Sequence, residues 1–224
     1  QYPLANTQYK KMYLSSKAGA NTLRGDGTLN WAAPTAAGKD VYRYDPNDPV
    51  PSWGGNNCCG TPTPAGPKDQ RTVEGRRDVL VYTSEYLKEP VEVTGPVKVV
   101  LYASSDARDT DFVAKLVDVF PDGRAISVAE GIMRAKYREG TDKPKLLEPG
   151  KVYEFAVDLV GTSNEFQKGH RIRVDVTSSH FPQFDRNPNT GEPFGTSGVV
   201  KVATQTVHHS GQYASHVLLP VIPR

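Results

Sequence analysis

An all-β fold, a two-sheet sandwich or jelly roll wrapped by an extended N-terminal segment, is what this sequence predicts, on three observations. Val, Ile and Leu number seven in residues 1–77 but 35 in residues 78–224, and 22 of those 35 are Val, whose branched side chain favours a pleated strand. Gly (20) and Pro (18) make up roughly 17% of the chain against about 12% in ordinary proteins, which marks frequent turns without low complexity. No segment sustains a 3.6-residue apolar period, so amphipathic helices are not expected.

Residues 1–224 read as one domain, with 1–77 as the wrapping segment and 78–224 as the sandwich core. In the wrapping segment, Asp45-Pro46-Asn47-Asp48-Pro49 and Thr61-Pro62-Thr63-Pro64-Ala65-Gly66-Pro67 fix φ and remove amide donors, which keeps them out of a sheet interior. Tyr9, Tyr13, Leu14, Trp31, Tyr42, Tyr44 and Trp53 anchor it, and short strands are expected at Lys10–Ser15 and Asp40–Tyr44. Beyond it, Asp78–Thr83 is the first core strand. Thr94-Gly95-Pro96 reads as a turn before Val97–Ser104, and Pro121-Asp122-Gly123-Arg124 as a hairpin joining Asp111–Phe120 to Ala125–Ala135. Glu148-Pro149-Gly150 precedes Val152–Leu159, and Lys168-Gly169 precedes Arg171–Thr177. That last strand alternates cleanly, with Ile172, Val174 and Val176 on one face and Arg171, Arg173 and Asp175 on the other, as in a half-buried strand. Val199–Val207 and Ala214–Leu219 complete the set. Eight short strands without intervening helices favour a sandwich.

A net charge of +2 and a pI near 8.4 leave no clustered basic face, so no nucleic-acid partner is expected. No run approaches the ~18 apolar residues of a membrane-spanning helix, so no membrane partner is expected either. The chain starts at Gln1 without a basic and apolar leader and reads as a piece of something longer. Two cysteines, the adjacent Cys58 and Cys59, are expected to be thiols, because a vicinal disulfide needs a strained backbone. They leave the cellular compartment undecided.

Chemistry-bearing motifs are sparse. A Gly-x-Ser-x-Gly nucleophile turn is absent, and Gly195-Thr196-Ser197-Gly198 has the wrong spacing and reads as a loop. His208 and His209 are neighbours that face opposite sides of a strand, which disfavours a chelate. His170 reads as a turn residue bonding backbone carbonyls. Asp106, Asp109 and Asp111 lack a calcium-loop spacing and read as strand-entry residues bonding loop amides. No metal and no cofactor site is expected. The long loop after Thr177 differs in kind: His180, Phe181, Phe184, Asp185, Arg186, Asn187 and Asn189 fall in one stretch. It is either self-packed or turned towards a partner, and is the candidate interdomain or substrate-proximal loop.

Several segments together are familiar. Asp45-Pro46, Pro49-Val50-Pro51 and Gly54-Gly55 come first, then Asp78-Val79-Leu80-Val81-Tyr82-Thr83-Ser84 and Val93-Thr94-Gly95-Pro96-Val97. Asp109-Thr110-Asp111-Phe112 through Pro121-Asp122-Gly123, Gly169-His170-Arg171-Ile172-Arg173, Ser178-Ser179-His180-Phe181-Pro182, Asn187-Pro188-Asn189-Thr190-Gly191 and Ser215-His216-Val217-Leu218-Leu219-Pro220-Val221 follow in order. This series resembles the C-terminal domain of the X-prolyl dipeptidyl-peptidase and cocaine-esterase-like serine hydrolases, with His180 where that family often has Asn. The resemblance implies a galactose-binding-like jelly roll appended to an α/β-hydrolase catalytic domain upstream in the same polypeptide. It implies a non-catalytic role, packing against the catalytic domain and supporting the active-site wall, or serving a homo-oligomer interface. The family's Ser, His and Asp triad lies upstream, so no catalytic residue maps onto this chain. The alternative class is a carbohydrate-binding jelly roll, for which Trp31, Trp53, Tyr102, Tyr137, Tyr153 and Tyr213 are the aromatic candidates.

Overall fold

The computed structural model describes residues 2–56, 63–193, 195–196 and 198–223. The Cys58–Cys59 pair, and Ser197 of the Gly195–Gly198 turn, lie outside the described residues. In chain order the strands are β1 (Gln8–Ser15), β2 (Thr28–Asn30), β3 (Gly38–Tyr44), β4 (Leu80–Thr83), β5 (Val91–Ser105), β6 (Asp111–Val119), β7 (Ala125–Arg134), β8 (Tyr153–Phe166), β9 (Arg171–Thr177), β10 (Ala203–His209) and β11 (His216–Ile222). A single-turn helix, α1 (Arg71–Glu74), lies between β3 and β4, and a 3₁₀ turn spans Ala135–Tyr137.

The strands form two facing layers joined through one bent sheet. The 15-residue β5 is the centre of the first layer. One of its edges is shared: β10 pairs with it from Ser105 to Tyr102 and β11 from Val100 to Glu92, while β8 runs along the opposite edge. β3 continues outward from β10, and β1 from β11. The second layer is β4-β9-β6-β7. β2 links the layers, antiparallel to β1 and touching β4 by one parallel bridge, Thr28↔Thr83. Every other named strand pair is antiparallel, so β-arches and hairpins suffice for the connections.

Alternation places the core between the layers. Val97, Val99 and Leu101 of β5 and Phe155 and Val157 of β8 meet Phe112, Ala114 and Leu116 of β6 and Ile172, Val174 and Val176 of β9. The Phe112 and Phe155 rings cross the interface with centroids 4.6 Å apart, within the range of favourable aromatic pairs.

Most expected strands are present with shifted ends, and the shifts have causes. Thr94-Gly95-Pro96 is no turn: it lies inside β5, which therefore starts at Val91, and Pro96 sits at a register shift towards Lys98. A bulge removes the need for the amide that proline lacks, and Gly95 supplies the φ of +143°. Pro220 occupies a similar shift in β11, which runs on to Ile222. β10 starts at Ala203 rather than Val199. Before it, the Lys201 amide bonds the Pro188 carbonyl at 2.9 Å, so the loop holds that stretch. The Pro121–Arg124 hairpin closes as expected, with the Phe120 amide on the Arg124 carbonyl at 2.8 Å. His170 does not bond backbone carbonyls through its ring. Its Nδ1 lies 2.9 Å from Asp118 Oδ1 and its ring 4.4 Å from that of Phe120. Asp109 and Asp106 do take loop amides, from Lys136 (3.0 Å) and Thr204 (2.9 Å).

The Phe112→Ala substitution removes one side of the central ring pair. It lowers stability by about 3–5 kcal/mol, read as a reduced urea midpoint with an unchanged m-value.

Candidate functional site

The second face of the β4-β9-β6-β7 layer carries charge, yet it is not solvated. Lys115, Glu130, Arg173 and Asp175 are all buried there, beneath residues 50–56 and 63–77. The covering chain brings matched polar groups. Gln70 Oε1 takes the Lys115 ammonium at 2.9 Å, and Glu74 Oε2 takes the Arg173 guanidinium at 2.6 Å. Gln70 Nε2 also donates to the Trp53 carbonyl at 2.7 Å, which ties the strap to its own upstream limb. Glu130 is the meeting point. Lys115 Nζ lies 3.7 Å from its Oε2, and His180 Nε2 lies 3.2 Å from the same oxygen, at ionic distance but out of hydrogen-bond alignment. Burial would push the Glu130 carboxyl up, but the His180 ring and the Lys115 charge hold it below its ordinary value. Burial pulls the Lys115 ammonium down against the attraction of Glu130 and Asp175.

Gly55 explains one sequence feature physically. A β-carbon there would sit 1.8 Å from Glu130 Oε1, and its φ is +89°. Only glycine lets the backbone cross the carboxylate that closely.

The loop predicted as the site is divided in two by this floor. His180, Asn187 and Asn189 are buried and act as pins. Asn187 Nδ2 donates to Asp111 Oδ1 (2.8 Å) and Asp109 Oδ2 (3.2 Å), while its Oδ1 takes the Asn189 amide (2.9 Å). Asn189 Nδ2 reaches the Lys201 carbonyl at 2.7 Å. Asp111 also holds Arg134 through two contacts of 2.9 and 3.0 Å, and Arg134 reaches the Asp185 carbonyl at 3.2 Å. Burial raises the Asp111 carboxyl despite Arg134.

Phe181, Phe184, Asp185 and Arg186 are exposed. Arg186 donates to the Pro46 carbonyl at 2.8 Å. Phe181 is zipped to the strap: its amide bonds the Val50 carbonyl (3.0 Å) and its carbonyl takes the Ser52 amide (2.7 Å). The zipper brings in Trp53, which the loop assignment missed. Trp53, Phe181 and Phe184 keep 36%, 39% and 37% of their surface exposed and stand on two backbone-paired segments; we call this set the aromatic ledge. Pro49-Val50-Pro51 ahead of Trp53 was the available signal, since an extended proline segment needs a surface to lie on.

Residues 1–218 match the model of the X-Pro dipeptidyl-peptidase C-terminal non-catalytic domain. The chain belongs to this family. It is 48% identical over 225 residues to the cocaine esterase of Rhodococcus sp. (strain MB1 Bresler), covering 100% of the chain and 39% of that protein. A putative serine esterase of Mycobacterium bovis (strain ATCC BAA-935 / AF2122/97) is 34% identical over 161 residues, 64% of this chain and 24% of its own length. Among solved structures, an aminopeptidase from a marine sediment archaeon, Thaumarchaeota archaeon, superposes over 100% of this chain and 38% of its own with a TM-score of 0.86 at 31% identity. An α-amino acid ester hydrolase does so over 95% and 36% with 0.82 at 35%. The chain thus spans about two fifths of the length of the cocaine esterase it matches.

A non-catalytic domain of this family holds one cluster that mimics a triad. Ser16 Oγ donates to Asp40 Oδ1 (2.7 Å) and lies 3.1 Å from His209 Nε2, and Asp40 Oδ2 lies 3.0 Å from the same nitrogen. A working triad places the carboxylate on one ring nitrogen and the serine on the other. Here both compete for Nε2, the serine proton is committed to Asp40, and His209 and Asp40 are buried. The Tyr82 hydroxyl (2.7 Å) and the Ala20 amide (2.8 Å) complete the shell of Asp40. The cluster ties β3, β4 and β10 to the chain after β1. Among the described residues, no group of three or more His, Cys, Asp or Glu could hold a metal ion. Of the aromatic candidates for sugar binding, two pair with each other and two lie against different partners. Tyr102 stacks on Tyr213 at 5.8 Å, Arg138 lies over Tyr153 at 4.4 Å, and Trp31 stands apart beside Val91 and Val221.

Two outcomes follow from these contacts. Gly55 and Gly66 both have positive φ, but a β-carbon at Gly66 meets nothing. Gly66→Ala therefore costs only the backbone term of about 1–2 kcal/mol, while Gly55→Ala costs a further ~1–3 kcal/mol of overlap, compared by urea denaturation. Burial opposes ionisation of Asp40, but His209, Ser16, Tyr82 and the Ala20 amide hold its carboxyl below the ordinary range. Its stabilisation is complete above that range and is lost as pH falls through the lowered folded-state value. Asp40→Asn lowers neutral-pH stability by about 1–3 kcal/mol and flattens the acid limb of a Tm-against-pH curve.

Proposed function

We propose that this domain supports the catalytic domain of a serine hydrolase of the X-Pro dipeptidyl-peptidase or acyl-esterase type, lying upstream in the same polypeptide, and supplies part of its active-site wall. The observation that carries the reading is the division within the 178–191 loop. His180, Asn187 and Asn189 are buried, whereas Phe181 and Phe184 are exposed on a loop whose backbone pairs with the segment before Trp53. Exposed aromatic side chains on a rigid base suit a dry contact, because little rotamer freedom remains to be lost on docking. Residues 1–77 serve the same end as an integral wrap of a single domain: the strap builds one half of the ledge.

In such a parent, acyl transfer to serine is activated by a His–Asp pair in the catalytic domain. The residues here orient and seal and take no proton. The relatives named as esterase, aminopeptidase and ester hydrolase support an acyl-transfer parent and leave the leaving group to the upstream domain.

The isolated chain, incubated with an X-Pro-p-nitroanilide or a p-nitrophenyl ester, gives no turnover. Turnover abolished by a serine-directed inhibitor would overturn the reading. In the full-length polypeptide, replacing Trp53 and Phe184 by Ala lowers kcat/KM by roughly tenfold or more, with the fold intact by circular dichroism. If the ledge instead joins two copies, the same pair of substitutions changes the sedimentation of the full-length protein and leaves kcat/KM alone.

A further inference from the structure

The strap is held to the sheet by one contact that ordinary ion pairing does not explain. Glu74 on α1 is fully buried. Its Oε2 takes Arg173, but its Oε1 receives no hydrogen bond, and neither oxygen of the buried Asp175 receives one. Asp175 stands on β9, level with Lys115 on β6 and Val81 on β4. The charged groups around it are spoken for. Lys115 bonds Gln70 of the strap and faces Glu130 of β7, Arg173 bonds Glu74 and Thr83, His180 faces Glu130, and Asp69 pairs with Arg71 at the surface. Glu74 is bonded to Arg173, and Asp175 lies two residues along β9 on the same face as Arg173; two buried carboxyls sharing one guanidinium cannot both stay ionised at low cost. Burial pushes both carboxyls up; Asp175 goes the further, because the Glu74 charge adds to burial there, whereas Arg173 holds Glu74 back.

We infer that Asp175 keeps a proton and donates it to Glu74 Oε1, and that this carboxyl–carboxylate bond is a pH-sensitive latch between the strap and the sheet. When α1 lifts, Asp175 becomes solvated and ionises, so opening releases one proton. Each unit of pH then favours the open strap roughly tenfold, until the closed form ionises as well. Lifting α1 also frees Gln70 from Lys115 and from the Trp53 carbonyl, which unties the upstream half of the aromatic ledge. That last consequence rests on the proposed function; the latch does not.

Amide exchange at residues 71–74 in the 224-residue chain, corrected for intrinsic rates, tests it without any hydrolase assay. In the wild type, protection falls roughly tenfold per pH unit above the ordinary carboxylate range and then levels off. In D175N, whose amide donates to Glu74 without a titrating proton of its own, protection falls with pH by a clearly shallower slope. The carboxyl ¹³C resonance of Asp175 in the wild type, which needs no variant, titrates well above the ordinary aspartate range. Protection that is flat with pH in the wild type, an equal slope in D175N, or an Asp175 resonance titrating in the ordinary aspartate range would each overturn the latch. None of these results bears on whether the ledge faces a catalytic domain, which the kinetics of the full-length polypeptide decide.

Discussion

A buried Lys115, set on the face of a sheet that a lone sandwich would leave in water, is the constraint around which the rest is arranged. An ammonium there must be matched or the face cannot be covered. Glu130 from the next strand, Gln70 from the strap and the neighbouring Arg173–Glu74 pair supply the match. Once the face is closed, the strap has one position. With the strap in place, Val50 and Ser52 offer a backbone edge to which Phe181 can bond. The network adds little net stability for its size, since buried pairs roughly offset their own desolvation. Its effect is geometric: it selects one register of strap on sheet.

The strands were legible because alternation reports burial on one face. Arg171 to Thr177 shows where that logic stops. Ile172, Val174 and Val176 point to the core as read, but Arg173 and Asp175 are buried too. A charge facing water and a charge facing a partnered strap look the same in a single strand, because the partner of Arg173, Glu74, lies 99 residues upstream. Bulges hid the true reach of β5 and β11: Pro96 and Pro220 read as breaks, whereas a register shift absorbs each. β2, three residues long, is too short for any period.

Of the loop singled out by composition, the stretch itself was legible and its internal division was not. Its two asparagines are buried against Asp109, Asp111 and the Lys201 carbonyl, partners that composition cannot assign. Exposure belongs to the aromatics, and Trp53 is linked to them only through the backbone pairing of the preceding residue, Ser52 to Phe181 across 129 residues of chain. The Ser16–His209–Asp40 cluster teaches the converse. The right residue types came together, but the shared Nε2 and the buried setting make it a tether between strands.

One edge of β5 is divided between β10 and β11, and β1 has its long ladder with β11. On the ribosome, β1 is made first and β11 last. The strand at the chain's start therefore waits for nearly the whole domain to be synthesised before its main hydrogen-bonding partner exists. Non-local closure of this kind is slow and leaves strand edges open in the interim. The first half of β1 is exposed and carries Lys10 and Lys11, charges that discourage a nascent edge from pairing with the wrong neighbour.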